Sequence, residues 1–227
     1  MTTKTQVNRR TFLRRTGIAG AGLGGGWITN GCGLRKAALP SRTFLLKGPG
    51  SPAAGERSGD PAPRGVLLVR PFKVATAFDS RAFVVRRSDS EYVTDVYHAF
   101  LVPPGSMLTD LAAVWARSLG VFATVTTGGS QLAPTHALEG EVTECYADYR
   151  DAKAPKAVIA GQFRLLHPLM GGASPVLWQV QGGAAVVIPR AGPDALVAGW
   201  EQGIAEWFAG LERMLRQRGP SAGGSNV

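Results

Sequence analysis

The stretch GVLLVRPFKVATAFDSRAFVVRRSDSEYVTDVYHAFLVPPGSMLTDLAAVWARSL, residues 65–119, sets the expected architecture. It opens on a continuous apolar run from Gly65 to Arg70, as a buried strand does. Ala82–Arg86 reads as a second strand. Tyr92 to Val102, with Val93, Val96, Tyr97 and Phe100, reads as a third. Pro103-Pro104-Gly105 then punctuates the chain. Leu108, Leu111, Ala112, Trp115 and Leu119 recur at three- and four-residue spacing. That spacing predicts a helix over 106–119, with Ser106 as its N-cap and Gly120 as its stop.

Downstream, Val121 to Thr127 is extended in character, and Gly128-Gly129-Ser130 turns the chain. Three longer apolar segments follow: Ala137–Tyr149 with Leu138, Val142 and Tyr146; Lys156–His167 with Ile159, Phe163 and Leu165; and Pro175–Pro189 with Val176, Trp178 and Val180. Their short connections suit an antiparallel meander. A long helix over 193–217 is the clearest local signal. Pro193 and Asp194 open it, and Leu196, Trp200, Ile204, Trp207, Phe208, Leu211 and Leu215 form one stripe that reads as core packing. The expected fold is α+β: a single domain with a mixed, mostly antiparallel sheet packed by two main helices.

Upstream, Thr43–Leu46 has the character of a first short strand, and residues 48–65, rich in Gly, Pro, Ser and Ala, read as a linker. The expected organisation is an export signal over 1–31, a lipidated N-terminus with strand and linker over 32–64, the α+β domain over 65–218 and a tail over 219–227. Of 227 residues, 25 are Lys or Arg and 16 are Asp or Glu, a net charge of +9. Nine of the basic residues and none of the acidic ones lie in the first 47, leaving 16 of each sign from residue 48 onward. The body is neutral and the excess sits on the N-terminal segment, which argues against a nucleic-acid partner.

The N-terminus, NRRTFLRRTGIAGAGLGGGWITNGC, has a charged region, then a weakly apolar stretch, then small residues before Cys32. This is the layout of an export signal. Arg9, Arg10, Phe12 and Leu13 carry a resemblance to a twin-arginine signal, an address read by a receptor. An amphipathic helix is the alternative, which seven glycines within Gly17–Gly31 make costly. Thr29-Asn30-Gly31-Cys32 resembles a lipoprotein signal-peptidase site, although Thr29 stands where Leu is usual. Acylation of Cys32 would anchor the chain to a membrane. Cys145 reads as a buried thiol in a strand, with a Cys32–Cys145 disulfide as the alternative in an oxidising compartment.

Chemical signatures are sparse. His98, His136 and His167 lack a metal-binding spacing and read as structural. There is no G-x-S-x-G elbow and no phosphate-binding G-x-x-x-x-G-K-[ST]. Glu139 and Glu141 would share one face of a strand, with Glu144 nearby. They read as a solvated face rather than a catalytic carboxylate pair. No cofactor is expected.

Within residues 65–119, Val69-Arg70-Pro71 forms a V-x-P step. Ala77-Phe78-Asp79-Ser80-Arg81-Ala82-Phe83-Val84-Val85-Arg86 follows a Y-L-D-R-x-x-I-V-Y-R pattern. Tyr92, Tyr97-His98-Ala99-Phe100 and Pro103 follow a tyrosine-rich strand pattern ending in Pro. Ser80 stands extra in the Asp-Arg step, and Phe100 stands where Trp is usual. In these features the chain resembles the auxiliary lipoproteins of ABC-type, MCE-associated intermembrane transport systems, over residues 43–216. The resemblance implies a non-enzymatic lipoprotein on the periplasmic face of the envelope. Its expected site is the outer membrane, since Gly33 is not the Asp that retains lipoproteins elsewhere. It also implies an MCE-domain protein and an ABC permease and ATPase as partners, a lipid or other hydrophobic cargo, and room for a homo-oligomer. Asp79, Arg81, Arg86, Arg87, Tyr92 and Tyr97 are the candidate docking residues. Two readings compete: a soluble twin-arginine-exported enzyme or cofactor-binding protein, and a lipid carrier with its own cavity.

Overall fold

Why the 65–86 segment folds as a chain of short strands rather than one long one is visible in its hydrogen bonds. The computed structural model describes residues 41–49, 65–168 and 175–218. Along them run strands β1 (Arg42–Phe44), β2 (Val66–Val69), β3 (Lys73–Val74), β4 (Ala82–Arg86) and β5 (Tyr92–Phe100). Helix α1 (Pro104–Leu119) and strand β6 (Thr124–Thr126) follow. The chain then forms β7 (His136–Asp148), β8 (Lys156–Leu166), β9 (Val176–Val187) and α2 (Pro193–Arg218). Arg70 N–H still donates to Leu138 O at 2.9 Å, but Pro71 has no N–H to continue the ladder. Phe72 N–H turns instead to Thr109 Oγ1 at 2.9 Å, and that hydroxyl donates to Gly105 O at 2.7 Å. The strand resumes at Lys73, and Ala75 N–H reaches Val142 O at 2.8 Å.

The long strand β7 organises the sheet. On one side it pairs in parallel with β2, β3 and β4 in succession, at Leu67↔His136, Lys73↔Glu141 and Arg86↔Asp148. On the other side it pairs antiparallel with β8, which pairs antiparallel with β9. β5 joins β4 antiparallel, β1 joins β5 in parallel, and β6 joins β2 in parallel. The result is an α+β single-domain fold with a large mixed sheet, its longest pairings antiparallel. β1 belongs to this sheet: Leu46 just after it is buried, and Arg42 is ion-paired to Asp194 at 2.9 Å.

Both helices cover one face of the sheet. Leu108, Ala112 and Trp115 of α1 and Leu196, Trp200, Ile204, Trp207, Phe208, Leu211 and Leu215 of α2 are buried in one core with Leu67, Val69, Phe83, Leu138, Val142, Ile159, Phe163, Leu165 and Trp178. The helices meet at Trp115 and Phe208, whose ring centroids are 5.1 Å apart. Two glycines make close approaches possible. A Cβ on Gly105 would stand 2.8 Å from Phe72 O, so α1 begins tight against the β2–β3 break. A Cβ on Gly161 would stand 2.9 Å from the Trp207 ring, which stacks on Phe163 at 4.3 Å between centroids. Trp200 Nε1 donates to Val158 O at 3.0 Å, so its burial costs no hydrogen bond.

Ser106 is not an N-cap. α1 begins two residues earlier, at Pro104, with Pro103 in the cap position and no side-chain cap. A proline at the first helical position has its φ preset and no N–H to satisfy, so the helix starts without a hydroxyl's help. Gly120 does end it, in a left-handed conformation with φ 66°. The strand β6 is shorter than Val121–Thr127, and β3 is too short to have been anticipated.

Candidate functional site

The face of the sheet without helices carries the candidate site. On β7 the register shifts between Val142 and Glu144. Beyond this bulge the alternation changes phase: Cys145 and Ala147 enter the helix-covered core, and Tyr146 turns to the open face. There it packs with Val84 of β4 and Val158 of β8, a second apolar cluster separate from the main core. Phe78 is held over this cluster by a turn in which its own N–H and that of Asp79 donate to Ala75 O, at 2.7 and 3.0 Å. Tyr92 comes from β5, opposite Arg86 in register.

The three rings form a closed triangle. Phe78 stacks on Tyr146 at 5.5 Å, and Tyr92 meets Phe78 and Tyr146 edge-on at 6.0 and 5.6 Å. The Arg86 guanidinium lies 5.4 Å from the Tyr92 centroid and 5.9 Å from that of Tyr146, within cation–π range. Its Nε and Nη2 donate to Ser88 O and Asp89 O at 3.1 and 3.0 Å. Arg86 is thus a positioning cation, already satisfied by its own hairpin. Burial pushes the Tyr146 hydroxyl's pKa up, so it stays neutral at physiological pH, and it accepts from Arg86 Nη1 at 3.5 Å.

Beside the triangle, Arg150 grips the Asp148 carboxylate with Nε at 3.0 Å and Nη2 at 2.8 Å, and reaches Asp89 with Nη1 at 2.7 Å. The hydrogen bond from Arg150 holds the Asp148 carboxyl below its usual range. Further along the same face runs a polar ladder: Arg70 to Glu139 at 2.6 Å, Glu141 to Gln162 at 2.6 Å and to Arg164 at 3.1 Å, and Arg164 to Gln179 at 3.1 Å. Glu139 and Glu141 do share this face, and each is paired with its own guanidinium. The arrangement is suited to binding a surface rather than to moving protons between paired carboxylates.

The sequence-predicted docking residues are only partly gathered. Arg86 and Tyr92 are in contact. Arg87 lies next to them, exposed, its N–H donating to Glu91 O at 2.9 Å. Asp79 and Arg81 lie on the β3–β4 loop; Arg81 Nε holds Phe100 O at 3.1 Å. Tyr97 stands apart on a bulge of β5, where the Asp95 carboxylate accepts the Tyr97 and His98 N–H groups at 2.8 and 3.2 Å. Phe78 and Tyr146 were missed as site residues. Tyr146 falls in line with Leu138 and Val142 by simple alternation, and the bulge hides its true direction. Its neighbours Glu144 and Asp148, both polar, were the available signal.

The histidines have structural surroundings: His98 Nδ1 pairs with Asp95 at 2.7 Å, His136 Nδ1 with Thr135 Oγ1 at 2.9 Å, and His167 Nδ1 with Thr135 O at 3.1 Å. Cys145 is a free, buried thiol whose pKa burial pushes up to about 12. Arg9, Arg10, Phe12, Leu13 and Cys32 lie outside the described residues, as do the linker over 50–64 and the tail over 219–227. No helix among the described residues is long and apolar enough to cross a membrane. Among the described residues no three His, Cys, Asp or Glu side chains are grouped as metal ligands.

No family model and no curated protein matches the chain. Solved structures do. A crystal structure of a Xanthomonas campestris protein described under the family model DUF330 is similar at TM-score 0.61 and 20% identity, over 80% of this chain and 95% of that one. A crystal structure of an uncharacterized protein is similar at TM-score 0.56 and 18% identity, over 78% of this chain and 99% of that one. At these identities the likeness is one of fold.

Proposed function

We propose that this chain is a lipid-anchored lipoprotein on the periplasmic face of the envelope, and a non-catalytic accessory component of an ABC-type, MCE-associated system that moves lipids or other hydrophobic molecules between membranes. The observation that carries the reading is the Phe78–Tyr92–Tyr146 triangle, with Arg86 fixed over it, on the sheet face the helices leave open. Two of its three rings and its cation come from residues 65–119, the segment that carries the family resemblance. Rigid aromatic side chains beside an arginine are what protein-binding hot spots are made of, because they offer large contact area at low entropic cost. The export signal and Cys32 support the anchor, and the neutral body on a basic N-terminal segment supports a membrane address.

In this reading acyl chains on Cys32 hold the domain at the outer membrane, and the open face docks an MCE-domain protein and, through it, the permease and ATPase. The test is affinity purification of the tagged full chain from a detergent extract of its own envelope. The expected result is recovery of an MCE-domain protein with its permease, reduced about tenfold by Tyr92→Ala, a hot-spot-sized effect. Equal recovery with Tyr92→Ala, or recovery of no such component, overturns it.

A further inference from the structure

A second surface lies where the described fold begins. Phe44 and Phe100 are partners in the parallel β1–β5 pair and turn toward the core. Leu101 N–H continues the pairing by donating to Phe44 O at 2.8 Å. Strand alternation then sends Leu45 and Leu101 to the opposite side, and both are exposed, at 54% and 47%, with Val102 next to them at 37%. Isolated exposed aliphatics are ordinary. Three joined by one hydrogen-bonded pair of chain ends make a patch.

Its rim is basic. Arg81, exposed, is held beside Leu101 by its hydrogen bond to Phe100 O, and Lys47, also exposed, follows Leu45 by two residues. Only nine residues, 33–41, lie between Cys32 and Arg42, ten Cα-to-Cα steps in all, and they include Arg35 and Lys36. Fully extended, such a segment spans at most about 36 Å. A chain anchored at Cys32 therefore keeps β1 close to the bilayer.

We infer that Leu45, Leu101 and Val102 rest on the phospholipid bilayer, with Arg81 and Lys47 among anionic headgroups, so that the domain is seated on the membrane in one orientation. Aliphatic side chains ringed by long cations are the chemistry of interfacial seating, the apolar tips entering the acyl boundary and the cations meeting phosphates. The inference rests on the anchored-lipoprotein reading. It adds that the open sheet face is presented at a fixed angle to the membrane rather than swinging on a tether.

The test uses the full chain processed in its own envelope and reconstituted into vesicles of phosphatidylethanolamine and phosphatidylglycerol. Cysteines introduced by Leu45→Cys, Leu101→Cys or, as a control, Leu132→Cys carry a nitroxide; the buried Cys145 does not compete for it. Reconstitution is expected to make labels at 45 and 101 accessible to oxygen and shielded from a nickel chelate, and to leave the label at 132 unchanged. Labels at 45 and 101 that stay open to nickel overturn the inference. Labels shielded from both reagents assign the patch to a protein partner and also overturn it. Mass spectrometry of Cys32 separates the two readings. If no acyl chain is found, the anchor fails by itself, and flotation of the Cys32→Ser chain with phosphatidylglycerol vesicles decides the patch. A loss of binding of about tenfold in Leu45→Asp/Leu101→Asp supports the inference; unchanged flotation, or none in the parent, overturns it.

Discussion

The two faces of one sheet are specified in different ways. The helix-covered face is specified by volume. Trp200, Phe83 and Phe100 crowd within 4.8 to 5.2 Å of one another, and Gly161 makes room for Trp207. The open face is specified by mutual satisfaction: a ring triangle, a guanidinium shared among rings and carbonyls, and a ladder of ion pairs. The first kind of order resists substitution because cavities and clashes are costly. The second holds an exposed Tyr92 and a half-buried Phe78 in fixed positions over a buried Tyr146 at modest cost, which suits a docking surface.

That contrast sets the expected scale of each substitution. The largest effect falls on the covered face: Trp200→Ala should cost about 3–5 kcal/mol in urea unfolding, from lost packing and the lost hydrogen bond to Val158 O. A cost near that of an open-face residue would break the contrast. Next, Thr109→Val keeps the shape but leaves the Phe72 N–H without its acceptor, and should cost about 1–3 kcal/mol. Far-ultraviolet circular dichroism should be unchanged.

On the open face Phe78→Ala should cost about 2 kcal/mol, from half-buried area and its ring contacts, while weakening partner recovery in proportion to Tyr92→Ala. A cost matching Trp200→Ala would show that the triangle is core after all. A smaller effect is expected from Asp148. Its folded carboxyl is held below the unfolded value of 3.8 by Arg150, so the folded state binds fewer protons. The contribution is complete well above pH 4 and is lost as pH falls through the depressed folded value. Asp148→Asn should therefore flatten the loss of stability below about pH 4 and leave its slope near pH 7 unchanged. The smallest effect is kinetic: Cys145, pushed up to about 12, should resist a thiol reagent at pH 8 in the folded chain and react at once in urea.

The helix faces were readable directly. Leu196 to Leu215 recur with the period of a helix, and every member of that stripe is buried. β7, β8 and β9 were readable too, since strands of 11 to 13 residues carry enough alternation to show themselves. The docking residues were harder. In the sequence Arg86 borders a polar loop and Tyr92 offers an exposed ring, and the two do meet. Tyr97 offers an exposed ring as well, yet the Asp95-centred bulge carries it elsewhere. Tyr146 could not be placed on a face from the sequence, because a bulge of one residue inverts every side chain beyond it.

Residue types and their spacing were thus enough to define the elements, the neutral body with its basic N-terminal segment, and the α+β class, because each depends on local periodicity or simple charge counting. Only the tertiary structure decided that β2, β3 and β4 line up in parallel along β7, and that the aromatic residues of separate segments close into one cluster on the open face. Strands of two to five residues, as β2, β3 and β4 are, hold too little pattern to name a partner. Their pairing is chosen by where Pro71 breaks the ladder, where Thr109 takes the diverted N–H, and which residues distant in sequence fold back to meet them.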